Sequence, residues 1–89
     1  MRDRYLQITF RNGKPFAAYL YLPRGSDERS VRSEEVEHGM VMDYGPNARP
    51  IGIELTAPDL VTLDRLNQVL QRFSIPTMRE DELAPLSVA

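Results

Sequence analysis

The chain has 89 residues, a net charge of −2, 42% hydrophobic and 27% charged residues, and no cysteine. That length leaves room for one core and excludes a second independently folding unit, while the balance of apolar and charged residues excludes disorder away from the ends. Without cysteine there is no disulfide framework, zinc knuckle or thiol nucleophile, so a cytoplasmic protein is the expectation.

In chain order, "YLQITF" from Tyr5 to Phe10 alternates, Leu6, Ile8 and Phe10 against Tyr5, Gln7 and Thr9, as a half-buried strand does. Asn12-Gly13 follows, a pair that accepts the positive φ of a type I′ turn, and predicts a tight hairpin. The returning strand "FAAYLYL" sends Ala18, Leu20 and Leu22 inward and Ala17, Tyr19 and Tyr21 outward, and Pro23 and Gly25 end it. After the polar "RGSDERS" loop, Ser30 to Glu37 reads as a third strand, bulged because Val31 and Val36 are out of phase by one residue, with a helix as the competing reading because Ser33, Glu34 and Glu35 have no strand preference.

"MVMDY" then alternates cleanly, "GPNAR" is dense in turn formers, and "PIGIELT" returns with Ile51, Ile53 and Leu55 on one side and Gly52, Glu54 and Thr56 on the other. From Thr62 the apolar period lengthens to about 3.6. Leu63, Leu66, Val69, Leu70 and Phe73 form the buried stripe of a helix capped by Thr62. Beyond Pro76 the spacing allows one helical turn over "REDEL", ended by Pro85, before the end frays.

These elements predict an α+β domain: an antiparallel β-meander of four to five strands with one C-terminal helix packed on one face. The expected unit is 1–76, with 77–89 as a tail. Its expected core is Leu6, Ile8, Phe10, Ala18, Leu20, Leu22, Met40, Met42, Ile51, Ile53 and Leu55 together with the helix stripe. The opposite sheet face shows Tyr5, Thr9, Tyr19, Tyr21, Val41, Asp43 and Glu54, too aromatic for plain solvent and too polar for core. A chain this short buries only roughly 60 to 65% of its unfolded surface, so self-association as a homodimer or other homo-oligomer is expected.

The order of features from "YLYLPRG" to "IGIELTAP" resembles a family of small bacterial proteins known as domain of unknown function 2283. The residues that carry the resemblance are Tyr19 to Leu22, Val36, the hydrophobic-Asp-Tyr run Val41 to Tyr44, and the hydrophobic-Gly-Ile-Glu run Ile51 to Leu55; "VTLDRLNQVLQRF" resembles a trailing helix of some members. The likeness extends over about three quarters of the chain. It implies a compact sheet-and-helix fold and no activity.

Asp43 and Glu54 share the outer face by strand parity, diagonal to each other, and two carboxylates at such range can do acid/base or metal work. Exposed sheet carboxylates are ordinarily solubilising or paired to arginine, however, and a third ligand could come only from His38, the single histidine, at a strand boundary beside Gly39. No serine sits in a nucleophile elbow, and no glycine-rich loop could cradle phosphate. Charge is asymmetric, with seven basic and three acidic residues from Met1 to Arg32, then four basic and ten acidic. That pattern suits either an anionic partner or attraction between oppositely charged faces of neighbouring subunits. The pI of about 5.3 and the lack of a recognition motif argue against a dedicated nucleic-acid binder.

The expectation is therefore a non-enzymatic, self-associating interaction module, antitoxin-like at most, that binds a protein partner through Tyr19, Tyr21, Asp43 and Glu54. No catalytic residue, metal or cofactor is assigned. The alternatives are a metal-dependent or acid/base enzyme using Asp43 and Glu54, and a weak nucleic-acid binder using the basic N-terminal half. Neither secretion nor membrane insertion is expected, because no apolar window approaches the length that either requires.

Overall fold

A computed structural model of the chain describes residues 4–23 and 29–87. Five strands form where the sequence pattern places them: β1 Tyr5–Arg11, β2 Lys14–Tyr21, β3 Arg32–Glu37, β4 Met40–Tyr44 and β5 Pro50–Leu55. A 3-10 turn over Pro58–Leu60 precedes helix α1, Leu63–Arg72, and a short helix α2, Glu80–Leu83, runs into a last 3-10 turn over Ala84–Ser87. The polar loop at 24–28 and the basic residues Arg2 and Arg24 lie outside the described residues.

All neighbouring strands are antiparallel, in the order β1-β2-β5-β4-β3. The sheet consists of two hairpin-connected runs, β1–β2 and β3–β4–β5, so it is meander-like within each run, and β2 pairs with β5 rather than β3. The most apolar segment thus becomes the central strand, with Ile51, Ile53 and Leu55 fully buried, while β1 and β3 form the edges. Turn chemistry follows the sequence. Asn12 and Gly13 both take positive φ, and Gly39 does so between β3 and β4. The loop after β4 is closed by Gly45 and Arg49, with Ala48 in the left-handed region.

One sheet face meets α1. Ala18, Leu20, Leu22, Met40, Met42, Tyr44, Ile53 and Leu55 pack with Leu66, Val69 and Leu70, and Leu6 and Ile8 lean in from β1. Thr62 caps α1 by accepting from the Arg65 backbone N–H, as its position predicts. Phe10 departs from expectation: it is 52% exposed rather than in the core. The β1–β2 register slips at Thr9/Phe10, and β5 pairs β2 only from Ala18 to Tyr21. The hairpin therefore runs on past its neighbour, beyond the reach of the core.

Polar side chains of α1 that the periodicity assigns to solvent instead fasten neighbouring segments. The guanidinium of Arg65 donates to the carbonyls of Leu60 and His38, and that of Arg72 donates to the carbonyl of Val36 at 2.7 Å. Val36 is the extra residue where the β3–β4 register shifts, so the expected bulge is present and its carbonyl is the one presented to the helix. Asn67 makes a reciprocal pair with Met78, its amide donating to the carbonyl and accepting from the N–H at 2.8 Å. Arg4 donates to the carbonyls of Pro76 and Thr77 and reaches Glu82 at 3.4 Å.

The helical turn expected over "REDEL" is present. Met78, Leu83 and Leu86 are buried in the same core as the sheet and α1, so the segment packs as far as Leu86; the end expected to fray lies in part, at 88–89, outside the described residues. Among the described residues, no helix is long and apolar enough to cross a membrane.

Two outcomes test this account of the C-terminal segment. Asn67→Ala leaves both Met78 backbone groups without their partner and should cost about 1 to 3 kcal/mol in chemical denaturation, with faster amide exchange from Met78 to Leu86. The Glu82 carboxyl is held below its ordinary range, first by the Arg79 N–H it accepts and then by the Arg4 charge. A carboxyl lowered in the fold contributes stability that is complete above its unfolded pKa and is lost as pH falls through the folded value. Melting curves between about pH 6 and about pH 3 should therefore fall less steeply for Glu82→Gln than for the parent chain.

Candidate functional site

The face away from α1 is ordered in rows by strand register. One row runs Tyr5, Tyr21, Gly52, Asp43, Ser33, and the next runs Gln7, Tyr19, Glu54, Val41, Glu35. The predicted outer residues thus share one surface. Asp43 pairs with Gly52 while Glu54 pairs with Val41, so the two carboxylates are diagonal, as parity requires.

Gly52 organises this surface. A β-carbon built on it would lie 2.0 Å from the Tyr19 hydroxyl oxygen and 2.3 Å from the ring carbon bearing it. The Tyr19 ring therefore occupies the space that any side chain at 52 would take. Crossing β5 through this slot, the Tyr19 hydroxyl donates to Oδ2 of Asp43 at 2.6 Å, and the Ser33 hydroxyl donates to Oδ1 at 2.5 Å. A single cross-sheet bridge thus joins β2, β4 and edge strand β3 over the bare backbone of β5.

Tyrosine stacking extends this order to the other edge. Tyr21 meets Tyr19 edge-on with centroids 4.6 Å apart and stacks on Tyr5 at 4.5 Å, with the ring planes only 15° apart. Its hydroxyl donates to Gln7 Oε1 at 3.1 Å. Beside the Tyr19 ring, the small Ala17 leaves a hollow of about 170 Å³ walled by Gln7, Thr9, Tyr19 and Glu54. Glu54 is exposed and makes no ion pair among the described residues.

The chemical candidates separate. Both oxygens of Asp43 accept from neutral hydroxyls, which makes it a bracket rather than a poised base. His38 is exposed in the β3–β4 turn, with its carbonyl held by Arg65 and its N–H donating to Glu37 Oε1. Among the described residues, no three His, Asp or Glu side chains converge as metal ligands would.

Ser33, Gln7 and Gly52 have parts in this surface that sequence reasoning did not assign. The signal for Gly52 was present, since an isolated glycine inside an alternating strand marks a close approach. Ser33 had none, sitting among glutamates in the least regular strand. On the inner face, burial, followed by the Glu34 charge, raises the Tyr44 hydroxyl above its ordinary pKa, while Arg32 lies 4.1 Å above its ring.

Residues 17–57 match the model of a family described as "Protein of unknown function (DUF2283)". The match begins in β2 and ends after β5, and so includes Tyr19, Ser33, Asp43 and Gly52; helix α1, which resembles the trailing helix of some members, lies beyond it. No curated protein and no solved structure matches the chain.

The slot has a direct test. Gly52→Ala should expel the Tyr19 ring, cost about 1 to 3 kcal/mol in denaturant unfolding, and break the bond to Asp43. Tyr19→Leu in the Gly52→Ala background should then cost less than in the parent chain. Additive costs in that double-mutant cycle would mean the ring does not depend on the slot.

Proposed function

From the match of residues 17–57 to the family described as Protein of unknown function (DUF2283), a premise that brings no activity with it, we propose that the protein is a non-enzymatic interaction module. Its contact surface is the outer sheet face. The observation that carries this reading is the rigid tyrosine array: Tyr5, Tyr21 and Tyr19 in mutual contact, the last bound to Asp43, on a face that no element of the described chain covers.

Rings already fixed by stacking and hydrogen bonds lose little entropy on binding, which is what a recognition surface needs. The partner is a protein, a second copy of this chain included. Supporting a binding role over a catalytic one, Asp43 spends both oxygens on the sheet itself, and among the described residues Glu54 belongs to no cluster of three His, Asp or Glu side chains.

Val41, half-buried between Glu54 and Glu35, lies in the middle of the surface and outside the Tyr19–Asp43–Ser33 bridge. Val41→Arg should weaken association, with itself or with a captured protein, by about tenfold or more, while shifting stability by no more than about 1 kcal/mol. Light scattering coupled to size-exclusion chromatography reads the first, and a thermal melt the second. Association unchanged by this substitution would remove the outer face from the reading.

A further inference from the structure

Two exposed features of opposite charge lie on the one sheet, a cationic tip on the β1–β2 hairpin and an acidic outer face on β3, β4 and β5. At its tip Arg11 pairs in register with Lys14, and Phe10 and Phe16 beside them are 52% and 53% exposed, with the Arg11 guanidinium 5.1 Å from the Phe16 ring centroid. Because β5 stops pairing at Ala18, residues 14–17 of β2 project past the sheet and carry this aromatic, cationic tip away from the core.

The outer face is its complement. Outward positions from Tyr5 to Thr9, Ala17 to Tyr21, Ser33 to Glu35, Val41 to Asp43 and Gly52 to Glu54 hold three carboxylates and no lysine or arginine. Asp43 is occupied, but Glu35 and Glu54 make no ion pair among the described residues, and neither do Arg11 and Lys14.

We infer that the occupant of the outer face is a second copy of this chain, docked by its β1–β2 tip, so that Arg11 and Lys14 of one copy meet Glu54 and Glu35 of the other beside the Tyr19 hollow. This rests on the outer face being the contact surface and names what covers it. Face-on-face stacking in simple superposition would bring like carboxylates together. An offset relieves that repulsion.

Glu54 and Glu35 lie on β5 and β3, across the sheet from the hairpin that carries the tip. A two-fold arrangement in which each tip crosses onto the other copy's β5–β4–β3 side seats Arg11 and Lys14 on those carboxylates, and the contact closes as a dimer. Anionic lipid or nucleic acid would satisfy the tip alone and would be repelled by the face.

The test is a charge-reversal pair followed by sedimentation velocity from tens to hundreds of micromolar at low salt. The parent chain should dimerise, less so as salt is raised. Arg11→Glu/Lys14→Glu and Glu35→Lys/Glu54→Lys should each lose about tenfold or more in association constant, and an equimolar mixture of the two should regain a one-to-one complex. A monomeric parent chain, or a mixture that stays monomeric, overturns the proposal. Concentration-dependent amide shifts at Tyr19 and Glu54 without shifts from Phe10 to Phe16 overturn it too, while leaving the outer face as the contact surface; shifts at neither place would remove both.

Discussion

The outer half of this protein depends on one steric constraint, the absence of a side chain at Gly52. Tyr19 lies across β5 only because nothing projects there, and only from that position can its hydroxyl reach Asp43 two strands away. The consequences spread both ways along the register row. Toward β3, Asp43 is held in a geometry that also accepts from Ser33, tying in an edge strand that buries little of its own. Toward β1, the fixed Tyr19 ring supports Tyr21 edge-on, and Tyr21 supports Tyr5. A face that would otherwise be a solvated surface becomes an ordered aromatic and acidic array.

The inner half is stabilised differently. Its apolar residues are close-packed, but α1 covers a five-stranded sheet with only ten residues, and the remainder is closed by backbone-directed polar contacts. Arg65 and Arg72 bind carbonyls at the β3–β4 end, while Asn67 and Arg4 bind those of the C-terminal segment that brings Met78, Leu83 and Leu86 into the core. These contacts satisfy carbonyls that belong to no ladder or helix, where an unmet acceptor would cost more than the bond returns. A small domain thus completes its core with its last turn rather than with a second layer.

Much of this was legible in the residues. Alternation placed Leu20, Met40, Met42 and Ile53 inward and Tyr19, Tyr21, Asp43 and Glu54 outward, because a strand's side-chain period of two leaves no other choice once one face is apolar. The Asn12-Gly13 turn, the bulge in β3 and the Thr62 cap follow from local chemistry of the same kind. The alternation at Phe10 is faultless; only the register slip at Thr9/Phe10 and the end of β5 beside β2 leave it exposed.

By itself, then, the sequence determined the elements, the face each side chain takes and the family signature, since these depend on backbone periods and turn preferences acting over a few residues. Tertiary structure decided that β2 would lie beside β5, that Tyr19 would fill the slot at Gly52 and bond Asp43, and that the C-terminal turn would enter the core. Each of these joins residues tens of positions apart, and the free energy that selects them comes from packing and hydrogen bonds that exist only after the strands have assembled.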